Sequence, residues 1–179
     1  MKFVAFLRNV NLGQPRSPTR GQLEAAFLQA GADAAASFMT NGTLVFSVSR
    51  SRLASGTARR AREILSQVCG LQEPVFVQSF GYLAELAAED PFAPFATAAV
   101  AERCASFFEP EATARLGLPL ESDRKDCLVF RARAGLALSI VREVNGKIGY
   151  PTLVLEKTLG APVTTRSWRT ILRLVKRHA

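Results

Sequence analysis

Apolar positions in the first thirty residues change from strand-like to helix-like spacing. The run KFVAFLR at 2–8 is apolar at successive positions, which predicts a strand buried on both faces. A loop rich in glycine and proline follows it. Thr19 is placed to cap a helix, because Leu23, Ala26 and Phe27 then recur at helical spacing until Gly31. The segment therefore predicts a strand, a loop and an amphipathic helix.

The next fifty residues continue with two more strands, a helix and a strand. Asn41-Gly42 separates two β-rich runs, and this dipeptide is typical of two-residue hairpin turns. Helical spacing then runs from Leu53 to Gly70, and PVFVQS at 74–79 is strand-like. The order β-α-β-β-α-β predicts a ferredoxin-like lobe, which is an antiparallel sheet with helices on one face.

A helix from about Tyr82 is broken by Pro91 and Pro94, and a second pass of the same pattern follows. We expect a first ferredoxin-like lobe at 1–80, a helical linker at 81–102 and a second ferredoxin-like lobe at 103–179, which gives an α+β fold. The elements predicted in the second lobe are a strand at 103–109, a short helix at 110–117, paired strands at 126–133 and 136–142, and a helix at 150–160.

The stretch TTRSWRT at 164–170 opens the last predicted helix. With Thr165 as N-cap, an apolar face forms from Trp168, Ile171, Leu172 and Val175, which lie at i, i+3, i+4 and i+7. Residues 166–179 hold five Lys or Arg and no Asp or Glu, within a chain of net charge +8. This predicts a basic amphipathic C-terminal helix that Trp168 anchors.

The cysteines and the hydropathy of the chain indicate in which cellular compartment the protein is expected. Cys69, Cys104 and Cys127 are odd in number and show no C-x-x-C spacing, so we expect neither a disulfide framework nor a zinc site. No run of ~18 apolar residues would span a membrane, and MKFVAFLRNV is too short in its apolar part for a secretory signal. We therefore expect a cytoplasmic protein with reduced thiols and no membrane partner.

Four stretches, VAFLRNVNLG, NGTLVF, DPF and TTRSWRT, resemble in this order the bacterial family catalogued as domain of unknown function 1697 (DUF1697). The resemblance implies two ferredoxin-like lobes, and no activity, cofactor or substrate is established for that family. The family's motifs match at Leu7, Arg8, Asn11, Gly13, Gly42, Val45, Phe46, Thr164, Thr165, Arg166, Trp168 and Thr170. This chain departs from them at Asn9, Gln14, Asn41, Thr43 and Ser167, which marks it as a divergent member.

Polar residues in these stretches are candidates for an anion site, because a core needs none of them. The N-terminus of a helix offers unpaired N–H groups, and a guanidinium fork suits phosphate or carboxylate. We expect a small anionic ligand in a cleft between the lobes. The predicted site residues are Arg8, Asn11, Asn41, Thr43, Thr164, Thr165 and Arg166.

Plainer interpretations of these residues stay open beside the site. Thr165 is also explained as a helix cap, Asn41-Gly42 as a turn, Arg166 as one partner of an ion pair, and Trp168 as a core anchor. The acidic and basic residues at 123–126 predict a solvated turn. Nothing here defines a nucleophile with its base, since the single histidine, His178, is next to the last residue.

Two alternative functions also stay open. Nucleic acid is a possible partner of the basic helix, although no strand alternates aromatic and basic residues as RNA-binding sheets do. The other alternative is a structural or partner-binding module without a ligand. The sequence leaves the reaction, any cofactor, the oligomeric state and whether the protein is an enzyme undetermined.

Overall fold

Residues 1–96 and 99–179 are described by the computed structural model, and their contacts divide the mixed α+β chain into two units, Met1–Leu83 and Ala84–Ala179. The elements of the first unit are β1 (Lys2–Leu7), α1 (Arg20–Gln29), β2 (Ala34–Phe38), β3 (Thr43–Ser47), α2 (Ala54–Cys69) and β4 (Val75–Ser79). A third helix, α3 (Phe80–Ala88), runs from the first unit into the second. No helix among the described residues has the length and apolar content that crossing a membrane requires.

Strand β1 lies inside a four-stranded antiparallel sheet of order β2-β3-β1-β4. Five of its six residues are buried, as its apolar run predicts. Phe3, Ala5 and Leu7 belong to a core shared with α1 and α2, in which the rings of Phe27 and Phe46 lie 5.0 Å apart. This core fixes β1 and the loop that follows it.

Local signals set the start of α1 and the end of α2. Thr19 Oγ1 accepts a hydrogen bond from Gln22 N, and the Gln22 side chain accepts one from Thr19 N, which completes a capping box. Helix α2 ends at Gly70 with φ 73°, a left-handed conformation that suits glycine. The predicted helices are confirmed here.

The hairpin between β2 and β3 is also confirmed, but its predicted two-residue turn is wrong. Phe38 pairs with Thr43, so the loop has four residues, and the left-handed positions are Met39 (φ 61°) and Gly42 (φ 68°). Asn41 is not one of them. The longer loop provides two backbone acceptors, Thr40 O and Gly42 O, for Leu12 N and Leu7 N, and such long-range contacts leave no signal in the local sequence.

The elements of the second unit are β5 (Glu102–Phe107), β6 (Leu120–Glu121), β7 (Cys127–Arg133), β8 (Leu136–Val141), β9 (Glu143–Val144), β10 (Lys147–Ile148), α4 (Pro151–Leu159), β11 (Thr164–Ser167) and α5 (Trp168–His178). Five of the strands form an antiparallel sheet of order β11-β5-β8-β7-β6. A 3₁₀ turn at Pro110–Arg115 stands where a short helix was predicted.

The start of α5 differs from the prediction. Thr164–Ser167 is an edge strand that pairs with β5, so Thr165 lies opposite Ser106 and is not the helix cap. The cap is Ser167, whose Oγ accepts a hydrogen bond from Thr170 N at 3.3 Å. A cap and a strand residue have the same extended backbone, so Thr165 and Ser167, two positions apart, look alike as cap candidates in sequence.

The apolar face of α5 is also shifted from its predicted position. Trp168, Ile171 and Leu174 are buried, whereas Leu172 is 42% exposed. Leu172 and Leu174 both border the apolar arc of the helix, so spacing alone does not decide between them. Packing of the helix against β5 and β11 settles the choice.

Candidate functional site

Arg8, predicted to offer its fork to a ligand, pairs with an acidic side chain of the first unit. Its Nη1 donates to Glu73 Oε2 at 2.6 Å, and Asn9 Nδ2 donates to the other carboxylate oxygen at 3.2 Å. Both side chains of the ion pair are about a quarter to a third exposed. Arg8 and Asn9 thus hold the end of β1 against the segment that precedes β4.

The loop after β1 and the hairpin loop interlock through backbone contacts. Leu7 N donates to Gly42 O and Leu12 N donates to Thr40 O, both at 2.8 Å. A Cβ on Gly42 would lie 2.8 Å from Val10 Cβ and 3.0 Å from Leu7 Cβ, so no larger residue fits without displacement. The first two sequence motifs therefore meet as a packing contact.

The other predicted residues of this unit lie around the same contact. Thr43 is fully buried, and its Oγ1 donates to Asn41 Oδ1 at 2.8 Å. Asn11 is exposed, and its backbone N–H donates to Ser17 Oγ at 3.3 Å. Asn41 and Thr43 are thus brought together, while Arg8 is engaged with Glu73.

In the second unit, Thr165 joins two elements through its hydroxyl. Its Oγ1 lies 2.8 Å from Ser106 Oγ in β5 and 2.7 Å from Thr152 Oγ1 in α4. Side chains alternate along a strand, so Thr164 and Arg166 point to the other face of the sheet. The hydroxyl chain thus ties the edge strand to α4.

Arg166 is buried in its strand and does not extend from a helix N-terminus. It is 8% exposed, and its Nη1 donates to Thr164 Oγ1 at 2.8 Å and to Thr165 O at 3.0 Å. Burial lowers the pKa of this guanidinium to about 10. Thr164 and Arg166 therefore act together inside the unit and leave little surface for a ligand.

A groove of about 510 Å³ opens directly beside this strand, where β11 passes into α5. Two arginines line it, Arg169 and Arg103 at the start of β5, and Nη2 of Arg103 donates to Phe95 O at 3.4 Å. The groove is further lined by Glu102, Ile148, Ser167, Trp168 and Leu172. The indole of Trp168 is fixed from behind by Phe92, at a ring distance of 5.3 Å.

The family model described as protein of unknown function (DUF1697) matches residues 1–134 of this chain. The chain belongs to the DUF1697 family. A solved structure, that of the conserved bacterial protein SP0830 from Streptococcus pneumoniae, is similar with a TM-score of 0.61 over 98% of this chain and 97% of the other. At 13% identity this likeness shows the fold alone. No curated protein matches the sequence significantly.

The DUF1697 match covers the stretches VAFLRNVNLG, NGTLVF and DPF and ends before the fourth, TTRSWRT. The interlocked loops around Gly42 lie inside residues 1–134, whereas Thr164–Thr170 lies outside them. The groove residues Arg103 and Arg169 were missed by sequence reasoning. Arg169 lies within TTRSWRT. Its position one residue after the buried Trp168 is the sequence feature that could have identified it as a groove residue.

The loop at 123–126 of this DUF1697 protein was predicted to be a solvated turn, which is wrong for Asp126. This carboxylate is buried and accepts from Ser122 Oγ at 2.6 Å and from Arg124 Nε at 2.7 Å. The hydrogen bond from Ser122, aided by Arg124, holds the pKa of Asp126 below its usual range although burial opposes this. Asp126 is thus ionised and serves as an anchor of the loop.

The cysteines of the second unit are unsuited to nucleophilic chemistry. Burial is the main cause that raises the pKa of Cys104 to about 12 and that of Cys127 to about 11. A thiolate is the reactive form, so neither thiol is activated. Within residues 1–96 and 99–179 no three His, Cys, Asp or Glu side chains cluster closely enough to hold a metal ion.

Proposed function

We propose that this protein binds a small anionic ligand that also has an apolar part, in the groove beside α5. The observation that carries the proposal is that two arginines, Arg103 and Arg169, line the groove together with the apolar residues Trp168 and Leu172. The groove lies wholly within the second unit. Its volume falls within the range of small-molecule sites.

The charges in the groove favour an anion. Two arginines and one acidic residue, Glu102, line the groove, so its lining has a net positive formal charge. A planar fork binds phosphate or carboxylate through two parallel hydrogen bonds. Glu102 also offers an acceptor for a hydroxyl or amine of the same ligand.

The apolar wall favours a ligand with a ring or an aliphatic chain. Leu172 and Ile148 are 42% and 47% exposed, and covering such surface contributes roughly 25 cal/mol per Å². Inorganic phosphate alone would leave this wall exposed. Aromatic carboxylates and nucleotides are therefore better candidates than a bare anion.

Of the seven residues expected to bind, three support this site from behind. Thr164, Thr165 and Arg166 fix β11, and the chain leaves this strand at Ser167 and Trp168 to form the groove. In the first unit, Arg8, Asn11, Asn41 and Thr43 hold the contact between the two loops. Ligand binding by the first-unit residues is not part of this proposal.

We further propose that each unit is a ferredoxin-like lobe. Strand order supports it: the first sheet is β2-β3-β1-β4, and four strands of the second repeat that order as β7-β8-β5-β11. In the second lobe the 3₁₀ turn at Pro110–Arg115 takes the place of the first helix.

A thermal-shift series tests the ligand proposal. The probes are nucleotides, sugar phosphates, and aromatic and aliphatic carboxylates, each with wild type, Arg169→Gln and Arg173→Gln. A ligand at about 100 times its Kd adds about 2.7 kcal/mol to the free energy of unfolding, so a clear rise in Tm is expected. Arg169→Gln should abolish this rise. Arg173→Gln is the control, because it removes an equal charge from the same helix but does not line the groove.

The proposal is wrong if no probe raises the Tm of the wild type. It is also wrong if Arg169→Gln responds as fully as Arg173→Gln, since a ligand would then bind elsewhere.

A further inference from the structure

Four cations follow the exposed side of α5 beyond the groove. We call Arg169, Arg173, Lys176 and Arg177 the basic stripe. At 100° per residue they fall within an arc of about 100°, and at 1.5 Å per residue they span roughly 12 Å of helix. The stripe therefore forms a band of positive charge on one side of the helix.

The charge of the basic stripe is not balanced within the protein. Helix α5 contains no Asp or Glu. Across residues 1–96 and 99–179, no carboxylate forms an ion pair with any of the four side chains. By contrast, Arg8, Arg124 and Arg131 each pair with an acidic residue.

The opposite side of the helix argues against a lipid surface as partner. A helix that binds a bilayer buries its apolar face in the acyl region. In α5 that face is already buried in the second unit through Trp168, Ile171 and Leu174. The side left exposed is mainly cationic, with Leu172 at its border, so contact with a partner there is mainly electrostatic.

The stripe also fits a duplex better than a single strand. Proteins that bind single strands stack bases on exposed aromatic side chains, and the stripe has none. The major groove of B-form DNA admits an α-helix, whereas that of A-form RNA is too narrow for side chains to read. We propose that the basic stripe binds the phosphate backbone of double-stranded DNA, independently of base sequence.

Fluorescence anisotropy with a DNA duplex of about 20 base pairs tests this between about 50 and 200 mM salt. Four phosphate contacts predict that affinity falls about 100-fold over this range, since the log–log slope is about −0.9 per contact. The variant Arg173→Gln/Lys176→Gln/Arg177→Gln should reduce the slope to that of about one contact. Its matched control is Arg50→Gln/Arg52→Gln/Arg59→Gln, which removes the same charge from exposed positions of the first unit and should keep the slope.

Three results would overturn the proposal: no binding at the lowest salt, equal loss in both triple variants, or equal or tighter binding to RNA duplex, single strands or phosphatidylserine vesicles. Arg173→Lys/Arg177→Lys keeps the charge and should bind as wild type, which separates lost charge from a damaged helix. The small-ligand site is tested independently, because the α5 triple variant retains Arg169 and should keep the ligand-induced rise in Tm. Failure of one proposal is thereby distinguished from failure of the other.

Discussion

The two units use their polar sequence motifs in different ways. In the first unit the motifs around Arg8 and Gly42 bring two loops together through backbone hydrogen bonds. The close approach is possible because Gly42 has no side chain. In the second unit, the Thr165 hydroxyl bonds to the hydroxyls of Ser106 and Thr152, and the buried Arg166 guanidinium donates to the Thr164 hydroxyl. The same residue types thus serve close backbone packing in one unit and a buried polar network in the other.

This difference indicates where a ligand is to be sought. Buried polar groups are satisfied by the protein itself, because leaving them unpaired costs free energy. The side chains that can bind a ligand are the exposed ones next to this buried polar network. In the second unit that boundary runs between Arg166 and Arg169, and the groove begins there.

The first way to test the comparison is Gly42→Ala, with the largest expected effect. Alanine at φ 68° costs about 1–2 kcal/mol, and the contact with Val10 adds about 1–3 kcal/mol of overpacking. We expect the free energy of unfolding to fall by about 3 kcal/mol, measured by urea denaturation.

Gly13→Ala is its control, because Gly13 has φ 82° but no atom within 4 Å of the added Cβ. Only the backbone cost of about 1–2 kcal/mol should appear there. Equal losses in the two variants would mean that the loop contact contributes nothing.

The second test is Thr165→Val, which removes the hydroxyl at nearly constant shape. Ser106 is fully buried and Thr152 partly so, and both lose their partner. An unsatisfied buried hydroxyl costs about 1–3 kcal/mol, so we expect a loss of about 2 kcal/mol in the same urea experiment.

Thr158→Val provides the matched comparison in α4. Its hydroxyl donates to Val154 O, one turn back along the same helix, and the residue is exposed. A loss below about 0.5 kcal/mol is expected, as at other surface positions. If Thr165→Val were equally mild, the hydroxyl chain would not tie the edge strand to α4.

Much of the element order was predictable because its signals are local. The buried run at 2–8, the cap at Thr19 and the glycines that end α2 and α4 each act within a few residues. The edge strand Thr164–Ser167 was missed because pairing with β5 is a long-range contact. A four-residue strand beside a helix has no periodicity of its own.

The candidate site was less predictable than the fold. The motif residues at 164–170 adjoin the proposed groove, but Arg166 and Arg169 have the same chemistry in sequence and opposite burial in the fold. Alternation along β11 directs Arg166 inward, and this became visible only with the strand assignment. Arg103 lies at the start of a strand more than sixty residues away, and no local pattern marks it.

The smallest expected effect is that of Arg8→Met, which removes the ion pair with Glu73. Both side chains are partly exposed, so solvent screens the pair, and Asn9 still donates to the carboxylate. We expect a loss of about 0.5–1 kcal/mol in low salt and less in high salt. Arg131→Met, which breaks the more exposed pair with Glu89, should cost about 0–0.5 kcal/mol. A loss near 3 kcal/mol for Arg8→Met would contradict the comparison. The first unit would then depend on the charged side chain of Arg8 as much as on the close backbone packing at Gly42.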